Sequence, residues 1–329
     1  SVLAPLLLII FINDLWDVVE NHLDVFADDS TVWAPIKSTA DRDSVTASLN
    51  SDLLAIQDWA KRWIVKYNDT KTELLTMSGK RDVAAFRRNG TDSDGHFNPT
   101  PNPNPHSPLS FCGSVLPESS SFKIVGLTFS TSLSWDLHIK KTITNAKRSL
   151  SLLTEPVLGG LPQHQISLFH LQGPRSLKME YVSPIWAGGS PTLLAKLDAI
   201  QRRAIKIIGS DEFEFASLAH RRTVDGLAFI HRLHRTAPPS VWDLCPTPYP
   251  KSQRLTRSVL REARPFFTPP SNRSTDSKTW CRSCIPMFTR AFNNLPTETQ
   301  SCDKRTRFKR LASSTNFPEL WIESSLRNH

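Results

Sequence analysis

The sequence predicts an α+β fold: a small antiparallel sheet with helices, a helical region after it, and a basic, poorly ordered C-terminal stretch. Three observations carry this. Two short runs of strand-forming residues, Leu23-Asp24-Val25-Phe26 and Thr31-Val32-Trp33-Ala34, flank a tight acidic turn. Directly after them Val45, Leu49, Leu53, Ile56, Ala60 and Trp63 recur at helical spacing. From His138 onward the apolar residues keep that helical period, as in Ile139, Ile143, Ala146, Leu150 and Leu153.

Taken in order, the chain opens on an apolar run, Val2 to Ile12. A bilayer span needs about 20 residues, so this run is too short to cross one. No basic segment precedes it, which argues against a signal peptide. The first Met is Met77, so the sequence reads as a fragment that has lost its N-terminal part. The hairpin follows, with Asp28 and Asp29 at its tip, and then the amphipathic helix, for which Asp43 or Ser44 is the expected cap. Trp59 and Trp63 lie one turn apart and are expected in a core. A short strand is expected at Thr72–Ser78.

Residues 79–108 contain Phe97-Asn-Pro-Thr-Pro-Asn-Pro-Asn-Pro-His-Ser-Pro108, where proline removes donors and restricts each predecessor. This reads as an exposed, disordered insertion. A hairpin of Leu109–Leu116 with Phe122–Phe129 is expected next, with Gly126 inside its second strand. A later helix carries Leu193, Leu197, Ile200, Ala204 and Ile207. Beyond Pro238 the chain turns rich in Pro, Ser and Arg, with a short helical patch near Phe288–Leu295. The expected organisation is therefore a partial sheet domain at 1–78, the insertion at 79–108 and a hairpin at 109–136. A helical region at 137–236 and a largely irregular basic tail at 237–329 complete it.

Charge is unevenly spread. Residues 1–50 hold eight acids against Lys37 and Arg42, a net −6, while residues 251–329 hold fifteen Lys and Arg against six acids, a net +9. An acidic head and a basic rear suit a protein that gathers cations at one end and phosphates at the other, although basic Ser/Pro-rich tails are also often just solvated. Five cysteines over a long chain fit a reducing compartment better than a disulfide framework. The expected location is intracellular, nucleus or cytoplasm, and not secreted.

Adjacent carboxylates at a turn are either solvated loop residues or ligands for a hard cation such as Mg²⁺, which prefers carboxylate oxygen. Lys140, Lys141, Lys147 and Arg148 flank the apolar stripe of the first helix after His138. Lys196, Arg202, Arg203 and Lys206 do the same on the later one. Such arcs either track a phosphate backbone or form a solvated helix surface. Cys281-x-x-Cys284 has no second Cys pair beyond it, only Cys302 and the terminal His329, and does not read as a zinc site. His231-x-x-His234 reads as an exposed helical face. No Gly-rich phosphate loop, Cys/His pair or Ser/His/Asp set stands out.

The order of these pieces resembles the reverse transcriptases of non-LTR (LINE-type) retrotransposons, especially the jockey-like group. Ser1-Val2-Leu3-Ala4-Pro5-Leu6-Leu7 through Phe11-Ile12-Asn13-Asp14-Leu15 looks like the helix after the family's Pro-Gln-Gly motif. Phe26-Ala27-Asp28-Asp29 is similar to its metal-binding hairpin. Ile56-Gln57-Asp58-Trp59-Ala60, Trp63, Asn68 and Lys71-Thr72-Glu73 are similar to the next helix and loop. Val125-Gly126-Leu127-Thr128-Phe129, Leu133-Ser134-Trp135 and His138-Ile139 look like the primer-grip strand and the start of the thumb. Glu180-Tyr181-Val182-Ser183-Pro184-Ile185-Trp186 and Leu197-Asp198-Ala199-Ile200-Gln201 look like downstream segments. The resemblance covers about residues 1–210 and continues weakly to Asn294-Leu295-Pro296. Each motif is loose alone; together, in this order and spacing, they are specific.

The resemblance implies a partial palm, a helical thumb and RNA-directed DNA polymerase chemistry, with RNA template, DNA primer and dNTP as partners and no membrane. In that chemistry two divalent ions about 4 Å apart stabilise the attacking and leaving oxygens. It implies Asp28 as the stronger metal ligand, Asp29 as the lesser, and Lys71 as the group that protonates the departing pyrophosphate. Gly126 and Leu127 match the primer grip, where a residue without a side chain permits close backbone approach. The family's third carboxylate precedes the Pro-Gln-Gly motif and has no counterpart in this sequence, nor have the fingers. Two acids hold two Mg²⁺ (or Mn²⁺) poorly, so a cofactor is expected only if the missing palm strand is supplied, and the piece alone is expected to be inactive. The rival expectations are a nucleic-acid-binding module without chemistry, or the relic of a decayed element. Oligomeric state is left open.

Overall fold

The structure, a computed structural model, describes residues 3–77, 108–151, 179–208, 216–239, 241, 245–246 and 283–315. The chain divides into two units, Ser1–Leu133 and Ser134–His329. The proline-rich insertion, Leu153 and the Cys281 half of the Cys-x-x-Cys pair lie outside the described residues.

In the first unit, helix α1 (Leu3–Ile12) buries none of its residues, and Leu3, Ile9 and Ile10 are 59%, 64% and 65% exposed. A 3-10 turn (Asn13–Val18) follows and drops Leu15 fully into the core. Strands β1 (His22–Phe26) and β2 (Asp29–Trp33) pair antiparallel around the two-residue turn Ala27-Asp28. Helix α2 (Arg42–Trp63) then lays Ile56, Trp59 and Ala60 against Leu15, Leu23, Leu109, Phe111 and Leu116.

Its start differs from expectation. The helix is capped one turn earlier, where Ser38 and Asp41 form a reciprocal capping box and Ser44 donates back to the Asp41 carbonyl at 2.8 Å. Trp59 is buried as expected, but Trp63, in the last turn, stays 44% exposed.

The two-strand turns explain two further departures. Cys112-Gly113 and Val125-Gly126 both carry positive φ at each central residue (51° and 82°; 45° and 83°). Two left-handed residues in succession define the type I′ turn, whose twist matches that of the strands it joins. The expected long hairpin is therefore two short ones: β3 (Ser110–Phe111) with β4 (Ser114–Val115), and β5 (Ser121–Ile124) with β6 (Leu127–Ser130). Gly126 sits in the turn, not within a strand. The strand expected from Thr72 reduces to one parallel bridge between Leu74 and Glu118, because Pro117 lacks the N–H that would extend it. Each sheet of the described residues has two strands.

In the second unit, α3 (Asp136–Ser151) buries Ile139, Ile143, Ala146 and Leu150 as its stripe requires. A short helix α4 (Ser183–Trp186) leads to α5 (Pro191–Ile208), which packs on α3. On α5, Leu193, Leu197, Ile200 and Ala204 are buried with Ile205, whereas Ile207 is 38% exposed. Helix α6 (Leu218–Thr236) starts on Ser217, whose hydroxyl accepts from the His220 N–H at 3.2 Å, and on Gln201, which accepts from the Leu218 N–H at 2.8 Å.

The helical patch expected near Phe288–Leu295 is α7 (Cys284–Asn293), and the largely irregular tail is corrected for the rest of residues 283–315, which add α8 (Thr297–Gln300) and α9 (Arg305–Ser314). Phe288, Phe292 and Phe308 are fully or almost fully buried with Leu227, Ile230 and Met287 of the same core. Burying each such aromatic contributes on the order of 2–3 kcal/mol, enough to order a stretch whose composition is polar. The Gln300 amide donates to the carbonyls of Phe292, Asn293 and Leu295 at 3.1, 3.1 and 2.8 Å and closes the end of α7. His231 is no exposed face residue: it is 2% exposed, stacks on Phe308 and donates to the Cys302 carbonyl at 2.6 Å.

Candidate metal-binding hairpin and basic helices

The register of β1 and β2 decides what the acidic hairpin presents. Phe26 pairs with Asp29, Asp24 with Thr31 and His22 with Trp33, so these six share one face. The opposite face carries Leu23, Val25, Ser30 and Val32, and it meets the core. The outer face is open: Phe26 is 60% exposed and Trp33 44%. Asp28 occupies the turn itself and Asp29 the first rung of β2, both exposed. Ala27 adopts φ 54°, a left-handed conformation that costs a non-glycine residue about 1 kcal/mol or more.

Neither Asp28 nor Asp29 makes a side-chain hydrogen bond or ion pair among the described residues. Asp24, on the same face, is already engaged: Trp33 Nε1 donates to it at 2.8 Å while the Trp33 ring stacks on His22 at 4.1 Å.

Three groups of hydrogen bonds fix the hairpin and the turn that leads into it. Asp52 of α2, 2% exposed, accepts from the Glu20 N–H at 2.9 Å, the Asn21 N–H at 3.1 Å and the Asn21 amide at 2.7 Å. Trp16 Nε1 donates to the Leu23 carbonyl at 3.1 Å. Asp14 accepts from both Trp59 Nε1 (2.9 Å) and Trp63 Nε1 (3.1 Å), with Phe11 edge-on to both rings. Behind the hairpin, burial raises the Tyr67 hydroxyl above its ordinary pKa. Asp14 and Asp52 carry no motif signal of their own. An acid inside an otherwise apolar helical stripe, as Asp52 lies between Leu49 and Ile56, is the sequence cue for such a role.

The ligand set can be tested against Mg²⁺ directly. Mg²⁺ demands a near-ideal octahedron of six oxygens. Among the described residues no three His, Cys, Asp or Glu side chains gather to hold a metal. Asp28 and Asp29 offer carboxylate oxygens for part of one such shell. Burial pushes the Cys284 thiol up to about 12, so in the folded chain it stays protonated at neutral pH. The described cysteines Cys112, Cys245, Cys284 and Cys302 are all unbridged.

Lys71 ends an exposed 3-10 turn (Asp69–Lys71), and no hydrogen bond or ion pair joins it to Asp28 or Asp29 among the described residues. Gly126 is held in its turn at φ 83°, and the Leu127 side chain is 6% exposed, so only backbone remains there to meet a strand end.

The eight cations of the two basic helices are all exposed and form no ion pairs among the described residues. Lys147, Lys196 and Arg203 converge on a concavity between α3 and α5; Lys140, Lys141, Arg148, Arg202 and Lys206 lie outside its lining. No described helix is long and apolar enough to cross a membrane. Compared with protein-family models, curated proteins and solved structures, the chain matches none.

Proposed function

We propose that this chain is a palm-and-thumb piece of an RNA-directed DNA polymerase of the non-LTR retrotransposon kind, one that holds nucleic acid and is catalytically inactive alone. The observation that supports it most is the exposed tip Asp28-Asp29. It is presented on a two-strand hairpin by a left-handed turn, and both carboxylates are without partners among the described residues. Unneutralised acids at a strained turn suit a hard cation shared with substrate phosphates, once a further carboxylate completes the oxygen shell. In this reading Mg²⁺ or Mn²⁺ binds only with a strand bearing a further carboxylate supplied, RNA template and DNA primer lie along the basic helices, and dNTP is the substrate of the whole enzyme. Lys71 and the Gly126–Leu127 turn keep the family roles proposed for them.

Two measurements on the chain test this. Affinity for an RNA/DNA duplex, read by fluorescence anisotropy, should fall steeply between about 50 and 200 mM salt, as phosphate contacts do. Duplex affinity no better than that of an inert protein of equal charge would overturn the reading. Primer extension on poly(rA)/oligo(dT) with Mg²⁺ should give no product. dTTP incorporation abolished by Asp28→Ala would show the piece to be active and refute its predicted inactivity.

The non-catalytic reading has its own support in the geometry. The Asp28 tip lacks a third ligand among the described residues, while the basic helices carry eight unpaired cations. Under it, Asp28→Ala leaves duplex affinity and its salt dependence unchanged even when a strand bearing an added carboxylate is supplied.

A further inference from the structure

The concavity between α3 and α5 combines two kinds of surface. Lys147, Leu150 and Ser151 come from α3, and Lys196, Ala199, Ile200 and Arg203 from α5; on each helix the residues fall at spacings of one turn. Leu150 and Ile200 are each 8% exposed and make the floor with Ala199, while the three cations stand exposed at the rim. Its volume is about 580 Å³, inside the range of about 300–1,000 Å³ typical of small-ligand sites. Among the described residues no carboxylate lines it. The acid nearest in sequence on α5, Asp198, is taken by Arg222, whose guanidinium donates to both of its oxygens at 2.9 and 3.1 Å. Lys147, Lys196 and Arg203 therefore face the hollow without a counter-ion from the described residues.

This composition selects among anions. A fatty acid brings one charge to three cations and needs a deeper apolar channel than an open hollow supplies. A bare polyphosphate leaves the Leu150, Ala199 and Ile200 floor uncovered. A phosphate monoester on an apolar, planar body satisfies both parts. Its charge of nearly two is spread over oxygens that Arg203 can grip as a fork and two lysines can reach as point charges. We infer that this hollow binds a nucleotide 5′-phosphate, with sugar or base over Leu150, Ala199 and Ile200 and the phosphate between Lys147, Lys196 and Arg203. The same chemistry comes from a free nucleotide or from the 5′-phosphorylated end of a strand. The inference needs no polymerase lineage and stands or falls apart from it.

The test uses the full chain and a short fluorescent single-stranded oligonucleotide with or without a 5′-phosphate, read by anisotropy, with AMP as competitor. The 5′-phosphorylated form should bind about tenfold more tightly than the 5′-hydroxyl form, the size of one charge-assisted hydrogen bond. Displacement by AMP would assign the site to free nucleotides as well; phosphate preference without displacement would assign it to strand ends. Lys196→Gln with Arg203→Gln should abolish the preference. Arg305→Gln with Arg310→Gln, which removes the same charge from exposed, unpaired positions on α9, should preserve it. Equal affinity for the two oligonucleotides would overturn the inference, as would a preference untouched by the first pair or lost equally with the second.

Discussion

Replacing Asp52 by alanine tests the idea that a buried carboxylate, rather than apolar contact alone, fixes the acidic hairpin. The residue is 2% exposed and receives three N–H donors at 2.7–3.1 Å, two of them backbone groups just ahead of β1. Hydrogen bonds to a charged group contribute about 1.5–3 kcal/mol each, so the gross loss is several kcal/mol. Part returns, because Glu20 is exposed and its N–H regains water, and the Asn21 amide keeps Ser48 Oγ at 2.8 Å. A net cost of about 3–4 kcal/mol remains, and with a urea slope near 2 kcal/mol/M the first unit's midpoint falls by about 1.5–2 M. Asp52→Asn should cost about half as much, since its carbonyl still accepts while its amide meets donors.

Urea unfolding followed by tryptophan fluorescence reads the midpoint, and hydrogen exchange of peptides covering residues 16–33 reports whether the hairpin loosens. Asp58→Ala, which removes only an exposed ion pair to Lys61, is the control and should cost under about 0.5 kcal/mol. If Asp52→Ala behaves like that control and hairpin exchange is unchanged, the anchoring argument is wrong.

Three more outcomes follow from the second unit. Gly226→Ala sets helix propensity against packing: alanine gains about 1 kcal/mol in a helix interior, but its methyl falls inside the Phe288 ring, a clash that costs about 1–3 kcal/mol or more. Thermal unfolding should show net destabilisation, and Phe288→Leu in the same chain should relieve part of it. Asp198→Ala strands the Arg222 guanidinium, whose side chain is 4% exposed, and should cost about 3–5 kcal/mol by chemical denaturation, with Asp198→Ala/Arg222→Met milder than the single change. His138, desolvated and near Lys141, and His234, desolvated and near Arg235 and His231, have folded pKa values below the usual 6.5. The folded state thus binds fewer protons, so stability holds above about pH 6.5 and declines as pH falls through that value toward the folded pKa. Unfolding temperatures at pH 7.5, 6.5 and 5.5 should decrease in that order, and His138→Gln/His234→Gln should flatten the trend.

The elements that period alone specifies were legible. Ile139, Ile143, Ala146 and Leu150 lie in the core because a helix has no other way to place them on one face. Likewise Leu23, Val25 and Val32 alternate with polar residues and so define the hairpin's inner face. The two type I′ turns were misread because Val125 and Cys112 are poor candidates for positive φ; only the glycine after each hinted at a turn. In residues 283–315 only a short helical patch near Phe288–Leu295 was legible, and composition hid the rest. Six Arg and Lys and nine Ser and Thr dilute the apolar signal there, yet Met287, Phe288 and Phe292 on α7 and Phe308 on α9 supply the apolar face. Asp52, His231 and Arg222 were illegible for a different reason: whether a polar side chain is buried depends on a partner distant in sequence, such as Asn21, Cys302 or Asp198.

The acids of the first fifty residues show how structure narrows a charge argument. Counted in sequence they form one negative region, a net −6. In the fold Asp14 serves Trp59 and Trp63, Asp24 serves Trp33, and Asp41 accepts from the Ser38 N–H. A carboxylate whose lone pairs already hold donors must surrender them to bind a cation. What remains unengaged among the described residues is Asp17, Glu20, Asp28, Asp29 and Asp43, and only Asp28 and Asp29 are adjacent at one tip. Their separation from the other free acids is set by anchors that use carboxylates of their own. The first unit spends Asp14 and Asp52 on rigidity, and the consequence is a projecting pair whose charge no neighbouring donor satisfies.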